Sequence, residues 1–337
     1  MMYEEALSAG QSVLNQGYEA AEILSDIGQK LAKTHFQSVL TVARGSSDHA
    51  AAYMAYLIMQ KLGIPVTSLP MSLVTLHQTP MQVRNQLAIA ISQSGASPDL
   101  IETMSSLRAA GARTMVLVNA RFSPLSEVCE WEIPLCAGIE KSVAATKSFI
   151  ASLTAAARLV AYWKDDASLL NALQTLPEKL SEAARNDWSK AIPLLQDHDR
   201  IMVVGRGLSF PVALEAALKF KETCGIQAEA FSSAEIRHGP MALISADYPL
   251  LVFAPRGAEQ HSILALANDM RTRGAKVILA APADVAERDL TLNTADDEAL
   301  DPILAIQSFY PMAAALSIAR GLHPDRPMHL SKVTRTL

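Results

Sequence analysis

The chain carries two copies of one unit, and this internal repeat constrains its fold more than any other feature of its 337 residues. Four glycines of the first half recur in the second half in the same local context of strand end, helix end or turn. The pairs are Gly45 and Gly207, Gly63 and Gly225, Gly95 and Gly257, and Gly111 and Gly274. Three pairs share an offset of 162 residues (207 − 45, 225 − 63 and 257 − 95), and the fourth has an offset of 163 (274 − 111). The repeat predicts two homologous subdomains.

Each copy contains short apolar runs without alternating polar positions. Continuous apolarity is typical of strands buried on both faces, as in a parallel sheet covered by helices. We therefore predict an α/β protein with two tandem subdomains, each a parallel sheet flanked by helices in a three-layer, flavodoxin-like arrangement. The predicted strands are Val39–Ala43, Leu87–Ile91, Thr114–Val118, Ile201–Val204, Leu250–Ala254 and Lys276–Ala280.

The repeat also sets the domain boundaries that we expect. Helical patterns precede the first copy and join it to the second, and a proline-containing basic tail follows the second copy. The predicted segments are a helical lead-in at 1–34, a first subdomain at 35–165, a helical linker at 166–195, a second subdomain at 196–322 and a C-terminal tail at 323–337.

The balance of charge argues against a nucleic-acid partner, because 29 Lys and Arg against 34 Asp and Glu give a net charge of −5. The acidic N-terminus lacks the apolar stretch of a signal peptide, and no run of about 20 apolar residues predicts a membrane span. Cys129, Cys136 and Cys224 fit neither a disulfide framework nor a zinc spacing. We expect a soluble, cytoplasmic protein with buried thiols and no membrane partner.

A serine-rich loop follows the predicted strand at 87–91. It contains Gly95, which allows a sharp bend, and it ends at Ser97 and Pro98, a good N-cap and first residue for a helix. Serine hydroxyls at a helix N-terminus are suited to a phosphate monoester. An ordinary serine-rich turn before a capped helix explains the same residues. The loop residues alone leave both interpretations open.

The second copy lacks the serines of this loop, since the corresponding stretch at 254–257 reads Ala-Pro-Arg-Gly. We therefore expect one phosphate site per chain. Ser46 and Ser47 follow Gly45 at the end of the neighbouring strand. Ligands of open parallel sheets bind beyond the carboxyl ends of the strands, so these two serines are expected to face the same crevice.

The serine loop, set in a duplicated α/β unit, resembles the SIS (sugar isomerase) domain. Four further stretches resemble the isomerase half of glucosamine-6-phosphate synthase, namely residues 143–149, 213–222, 235–240 and 325–332. The resemblance covers nearly the whole chain from about residue 35. The chain departs from the synthase in two ways, since Arg44 replaces a cysteine and the residues after Lys332 differ. We also expect no N-terminal glutaminase domain, because the sequence starts at Met1-Met2-Tyr3 without room for one.

The resemblance implies a stand-alone deaminase that converts glucosamine 6-phosphate and water to fructose 6-phosphate and ammonia, without a metal or another cofactor. It implies Glu222 as the base for proton transfer between C1 and C2, His238 as the ring-opening group donated across a homodimer interface, and Lys332 as a contact to C1 and C2 of the open sugar. The implied substrate-binding residues are Ser46, Ser47, Ser92, Gln93, Ser94, Ser97, Val143, Ala144 and Lys219.

Each of these residues also has a plainer interpretation. Glu222 and Lys219 fit a helical ion pair, His238 fits a surface loop, and Lys332 fits a solvated lysine. Other functions stay open as well: a non-catalytic phosphosugar sensor, a fructosamine-6-phosphate deglycase or a galactosamine-6-phosphate deaminase. The presence of all three candidate catalytic residues favours an enzyme, because a sensor needs only contacts to the phosphate and the hydroxyls.

Overall fold

The structure, a computed structural model, describes residues 1–330 and 332. These residues form two compact units. The first-copy unit contains Gln11–Glu140, Lys147–Gln174 and Lys332, and the second-copy unit contains Met1–Gly10, Lys141–Thr146 and Thr175–Leu330. The other residues of the predicted tail, 331 and 333–337, lie outside the described residues.

The first-copy unit is built on a five-stranded parallel sheet in the order β2-β1-β3-β4-β5. Its strands are β1 (Ser38–Val42), β2 (Val66–Ser68), β3 (Gln86–Ser92), β4 (Arg113–Val118) and β5 (Trp131–Pro134). The three central strands match the predicted ones to within a residue or two.

The second-copy unit contains a second five-stranded parallel sheet, in the order β10-β9-β8-β6-β7. Its strands are β6 (Arg200–Gly205), β7 (Gln227–Ser232), β8 (Pro249–Phe253), β9 (Lys276–Pro282) and β10 (Leu290–Leu292). Read from its other edge, this order repeats that of the first sheet strand for strand. The predicted α/β fold with two parallel sheets is confirmed.

Helices cover both sheets. They are α1 (Met2–Leu7), α2 (Ala9–Glu19), α3 (Ala21–Ala32), α4 (Ser46–Leu62), α5 (Ser72–Thr75), α6 (Pro98–Ala109), α7 (Pro124–Val128), α8 (Lys147–Lys164), α9 (Ala167–Ala183), α10 (Ile192–Leu195), α11 (Ser209–Cys224), α12 (Gln260–Thr272) and α13 (Asp301–Ala319). Short 3₁₀ turns occur at Ser189–Ala191, Glu235–His238, Pro240–Leu243 and Glu298–Leu300.

The two cores are built in the same way. In the first-copy unit, α6 places Leu100, Met104 and Leu107 in the hydrophobic cluster that covers one face of the sheet. In the second-copy unit, α12 places Ile263 and Met270 in the corresponding cluster. A spacing of three to four residues aligns side chains on one helical face, so each helix buries a single apolar stripe. This packing fixes the N-terminal end of each helix beside the carboxyl ends of the strands.

Among residues 1–330 and 332, one helical stretch is long and apolar enough to cross a membrane by length and composition alone, namely Glu298–Ala319. Of its most apolar window, 78% is buried inside the protein. Core helices of soluble proteins meet the same two criteria, so this stretch is weak evidence for a membrane span.

Candidate functional site

The serine-rich loop joins the end of β3 to the start of α6. Two of its serine hydroxyls accept hydrogen bonds from its own backbone. The Ser92 oxygen accepts a hydrogen bond from the backbone N–H of Gly95 at 3.0 Å. The Ser94 oxygen accepts one from the backbone N–H of Ala96 at 3.3 Å. Gly95 has a φ of +61°, and a Cβ there would overlap Ser123. The loop therefore depends on glycine, and both hydroxyls keep their own protons for donation to a ligand.

Helix α6 begins as the sequence predicts, with Ser97 at the N-cap and Pro98 in the first turn. The Ser97 side chain makes no capping hydrogen bond to the helix. Orphan N–H groups of a helix N-terminus favour an anion, and this helix has 12 residues. Ser46 and Ser47 begin α4, which follows β1, the direct neighbour of β3 in the sheet. Both predicted groups of serines thus lie at the carboxyl ends of paired strands.

A buried acid next to the serine loop was not predicted from the sequence. The Asp99 side chain is 1% exposed, and its Oδ2 lies 3.0 Å from both Nε and Nη2 of Arg44. Arg44 follows β1, and its side chain is 56% exposed. The arginine neutralises a carboxylate that would otherwise repel an anion at this helix N-terminus. The separation of 55 residues between the partners explains why sequence spacing gave no signal.

The corresponding crevice of the second copy carries a carboxylate instead of serines. Gly45 and Gly207 have nearly the same φ, +56° and +57°. A Cβ at Gly45 would meet no atom within 4 Å, whereas a Cβ at Gly207 would overlap the carboxylate of Glu259. Glu259 is the N-cap residue of α12. A negative charge at this N-terminus disfavours phosphate, which supports the expectation of one phosphate site per chain.

Helix α11 carries the candidate base in a chain of three charged side chains. Lys219 and Glu215 are fully buried, with 3.2 Å between Nζ and Oε1. Glu222 is 20% exposed, and its Oε2 lies 2.5 Å from the Nζ of Lys219. Burial alone would lower the pKa of Lys219, but the two carboxylates outweigh it and raise the pKa above its usual value. The pair of Lys219 and Glu222 is therefore not a solvated surface ion pair, and Glu222 is its accessible end.

His238 ends the short 3₁₀ turn Glu235–His238 and is exposed. Ile236 in the same turn is buried and fixes the turn to the second-copy unit. Gly239, which follows, has a φ of +142°, a conformation that L side chains rarely adopt. The histidine therefore lies at the surface, on a turn that is packed against the second-copy unit through Ile236. This position leaves its imidazole accessible to a ligand or to a second chain.

Lys332 belongs to the first-copy unit and is not a fully solvated lysine. Its Nζ lies 3.3 Å from Oε2 of Glu140, whose side chain is fully buried. Glu140 also accepts hydrogen bonds from the backbone N–H of Ser148 at 3.2 Å and from its hydroxyl at 2.6 Å. Neither residue was among the predicted site residues, although Ser148 lies within the stretch 143–149 that resembles the synthase and Glu140 lies just before it. They give the lysine an ordered partner.

Val143 and Ala144 lie in the loop Lys141–Thr146, which belongs to the second-copy unit. Val143 is half-buried and Ala144 is buried. The candidate residues thus divide between the units. Those in the first-copy unit are Ser46, Ser47, Ser92, Gln93, Ser94, Ser97 and Lys332, and those in the second-copy unit are Val143, Ala144, Lys219, Glu222 and His238.

Within residues 1–330 and 332, no group of three or more His, Cys, Asp and Glu side chains is placed to hold a metal ion. The buried cysteines do not supply a nucleophile, because burial raises the pKa of Cys129 to about 12 and that of Cys224 to about 11.

A duplicated parallel sheet with a serine-rich loop and a helix N-terminus at the carboxyl end of one copy is typical of α/β proteins that bind phosphorylated small molecules. Comparison with known families identifies which family of this class the chain belongs to. The model of the SIS domain matches residues 30–162 and 194–305, one match for each copy. The chain belongs to the SIS domain family, as its motifs predict.

Relatives of known name agree with this family. The chain is 31% identical to glutamine–fructose-6-phosphate aminotransferase (isomerizing) of Methanothermobacter thermautotrophicus, over 97% of this chain and 55% of that protein. It therefore spans about half the length of the curated relatives that it matches.

Solved structures are similar over their whole length. A candidate phosphosugar isomerase from Silicibacter pomeroyi is 36% identical with a TM-score of 0.91, covering 96% of this chain and 99% of its own. Glucosamine-6-phosphate deaminase from Thermotoga maritima is 23% identical with a TM-score of 0.76, covering 98% and 100%, which indicates the same fold.

Proposed function

We propose that this protein is a glucosamine-6-phosphate deaminase. It converts one molecule of glucosamine 6-phosphate and one of water to fructose 6-phosphate and ammonia. The observation that carries the proposal is the charge chain in α11. A fully buried lysine, itself neutralised by the buried Glu215, holds the carboxylate of Glu222 at the edge of the buried region. A carboxylate oriented in this way at the edge of the buried region is suited to take a proton from carbon.

The phosphate group binds at the serine loop. The hydroxyls of Ser92, Ser94 and Ser97 donate to it, together with the N-terminus of α6. Arg44 cancels the charge of Asp99 beside the loop and so keeps the local potential favourable for a dianion. Anchoring the phosphate fixes the far end of the sugar, which orients C1 and C2 for reaction.

The chemistry then proceeds by ring opening, proton transfer between C1 and C2, and hydrolysis of the resulting imine. His238, donated by the neighbouring subunit of a homodimer, opens the pyranose ring by protonating the ring oxygen as the O1 proton is removed. Glu222 takes the proton from C2 and returns it to C1, and a second proton passes from the amino nitrogen to O1; the two transfers together convert the 2-amino aldose to a ketose 2-imine. Water adds to C2 of the imine. Ammonia then leaves with the electron pair of the C2–N bond and a proton. Lys332, held by Glu140, contacts C1 and C2 of the open chain.

The names of relatives support this reaction class. The aminotransferases that match this chain act at fructose 6-phosphate, and the Thermotoga maritima protein is named a glucosamine-6-phosphate deaminase. An aldose–ketose isomerase of tagatose 6-phosphate from Escherichia coli also has this fold, with a TM-score of 0.80 at 16% identity. We propose that the protein acts in the cytoplasm as a homodimer, with neither metal nor other cofactor.

The test is ammonia release by the purified protein from glucosamine 6-phosphate, with EDTA present. Galactosamine 6-phosphate, fructosamine 6-phosphate and free glucosamine serve as parallel substrates. Turnover of glucosamine 6-phosphate well above the other three is the expected result. Faster turnover of galactosamine 6-phosphate or fructosamine 6-phosphate would replace the assignment by that epimer's deaminase or by a deglycase. Binding of phosphosugars without turnover would make the protein a sensor.

A further inference from the structure

The N-terminal helix holds the loop Lys141–Thr146 through a single carboxylate. Glu5 of α1 accepts hydrogen bonds from the backbone N–H of Lys141 at 2.5 Å and from that of Ser142 at 3.1 Å. It also accepts a hydrogen bond from the hydroxyl of Ser142, a fully buried residue. The same hydroxyl lies 3.1 Å from the carbonyl oxygen of Ala144. One acidic side chain, 136 residues from Lys141 in the sequence, thus holds two consecutive loop residues.

Helix α1 is itself fixed to the body of the second-copy unit. The side-chain amide of Gln307 donates to the carbonyl oxygen of Ala6 at 2.8 Å, in a buried position. The backbone N–H of Met2 donates to Asp325 at 2.6 Å. Helix α1 has only six residues, so it would be unstable alone and depends on these contacts. Its anchoring gives Glu5 a defined place from which to hold the loop.

Gln307 lies in α13, which packs against the helix that carries Glu222. The hydroxyl of Ser317 donates to the carbonyl oxygen of Thr223 at 2.6 Å, and the thiol of Cys224 lies 3.4 Å from the carbonyl oxygen of Ala313. A continuous set of contacts therefore joins the loop to α1, α1 to α13, and α13 to α11. The loop and the candidate base are held on one rigid support.

We propose that Glu5 is a positioning residue for substrate binding: it holds the loop so that the backbone groups of Val143 and Ala144 meet the sugar hydroxyls. This inference rests on the proposed function, because it assigns the loop to the same phosphosugar. It gives helix α1, which the sequence predicts to be a lead-in, a supporting role behind the binding site. Hydrogen bonds from backbone N–H groups to a carboxylate are charge-assisted. Loss of the negative charge of Glu5 therefore loosens the loop.

The test compares Glu5→Gln with Glu4→Gln. Glutamine keeps the size of the side chain and one acceptor oxygen, so the fold is preserved. Glu4 is the neighbouring exposed acid and contacts the N-terminal amine rather than the loop, which makes it the matched control. In Glu5→Gln we expect faster hydrogen exchange at the amides of Lys141 and Ser142. We also expect an affinity for glucosamine 6-phosphate lower by about tenfold, because the charge-assisted hydrogen bonds that hold the loop are weakened.

The kinetic signature separates positioning from general damage. Glu5→Gln should raise KM by the same factor while leaving kcat within about threefold, because only ground-state contacts are lost. Glu4→Gln should match the wild type in every measurement. Unchanged exchange at the two amides, or unchanged affinity and KM despite faster exchange, would overturn the proposal.

Affinity measured by calorimetry keeps this test independent of turnover. If the wild-type protein binds glucosamine 6-phosphate but releases no ammonia, the proposed function fails while the role of Glu5 is still decided by the two affinities. If the wild-type protein turns over and Glu5→Gln behaves like Glu4→Gln, the role of Glu5 fails while the proposed function stands.

Discussion

The ammonium of Lys219, a fully buried side chain, lies 2.5 Å from the carboxylate of Glu222 three residues along the same helix. A fully buried Glu215 lies on the other side of the ammonium, at 3.2 Å. The three side chains carry one net negative charge, and the one exposed in part is Glu222. The arrangement places the carboxylate of Glu222 at the edge of the buried region and leaves no buried charge unpaired. An unpaired buried charge would cost several kcal/mol.

The first prediction concerns Glu222 as the base. Glu222→Gln keeps the shape of the side chain but cannot accept the C2 proton. We expect kcat for ammonia release to fall by about 10²–10⁴, with little change in the affinity for glucosamine 6-phosphate. Glu229→Gln, at an exposed carboxylate of β7, is the control and should keep wild-type kinetics. A kcat of Glu222→Gln within threefold of the wild type would show that another group is the base.

The second prediction concerns Lys219 as a structural cation. Lys219→Met removes the charge at similar volume and breaks the buried ion pair with Glu215. We expect the free energy of unfolding to fall by about 3–5 kcal/mol. Lys221→Met, at an exposed position of the same helix, should change it by less than about 0.5 kcal/mol. Urea unfolding at pH 7 measures both, and equal effects of the two substitutions would contradict the assignment.

The raised pKa of Lys219 also fixes the sign of its pH dependence. The folded protein holds this proton more tightly than the unfolded chain does, so the contribution to stability is complete below the usual value of 10.5. It is lost as the pH rises above that value toward the raised pKa of the folded state. The stability difference between wild type and Lys219→Met should therefore be constant around neutral pH and shrink only in strongly alkaline solution.

The third prediction concerns the phosphate loop. Ser94→Ala removes one hydroxyl donor and should raise KM for glucosamine 6-phosphate by about tenfold, since a hydrogen bond to a charged group is lost. Binding of unphosphorylated glucosamine should hardly change. Ser105→Ala, at an exposed position within α6, is the matched control. Equal losses for the phosphorylated and the free sugar would exclude Ser94 from the phosphate site.

The central strands could be predicted from the sequence, because continuous apolar runs are read directly from the residues. The short outer strands could not. Only one of the three residues of β2 is even half-buried, and β10 also has only three residues. Their pairing depends on the sheet that they join rather than on their own pattern.

The same limit applies to the site. The serine loop and the acid–base residues lie in local motifs and were named from the sequence. Asp99, Glu140 and Glu5 act on groups that are 55, 192 and 136 residues away. No local spacing encodes such contacts, since they exist only once the sheets have formed.

The fourth prediction concerns the cysteines. Burial raises the pKa of Cys129 to about 12 and that of Cys224 to about 11, so both stay protonated in the folded protein at pH 8. We expect both to react with a thiol reagent such as DTNB only at the rate of unfolding. Rapid reaction of both in the native protein would contradict this. Above the usual thiol pKa of 9.0, ionisation in the unfolded chain should lower the free energy of unfolding.

The last prediction tests helix packing in the first-copy unit, independently of function. A Cβ at Gly28 of α3 would overlap the Cβ of Tyr162 and lie 3.0 Å from that residue's backbone carbonyl carbon. The backbone of α8 cannot yield, so Gly28→Ala should destabilise the fold by about 1–3 kcal/mol. A Cβ at Gly17 of α2 would meet only the flexible end of Arg158, at 3.1 Å. Gly17→Ala should therefore be neutral or stabilising by up to about 1 kcal/mol, from the helix propensity of alanine. Thermal unfolding measures both, and a loss of stability in Gly17→Ala as large as in Gly28→Ala would contradict the packing argument.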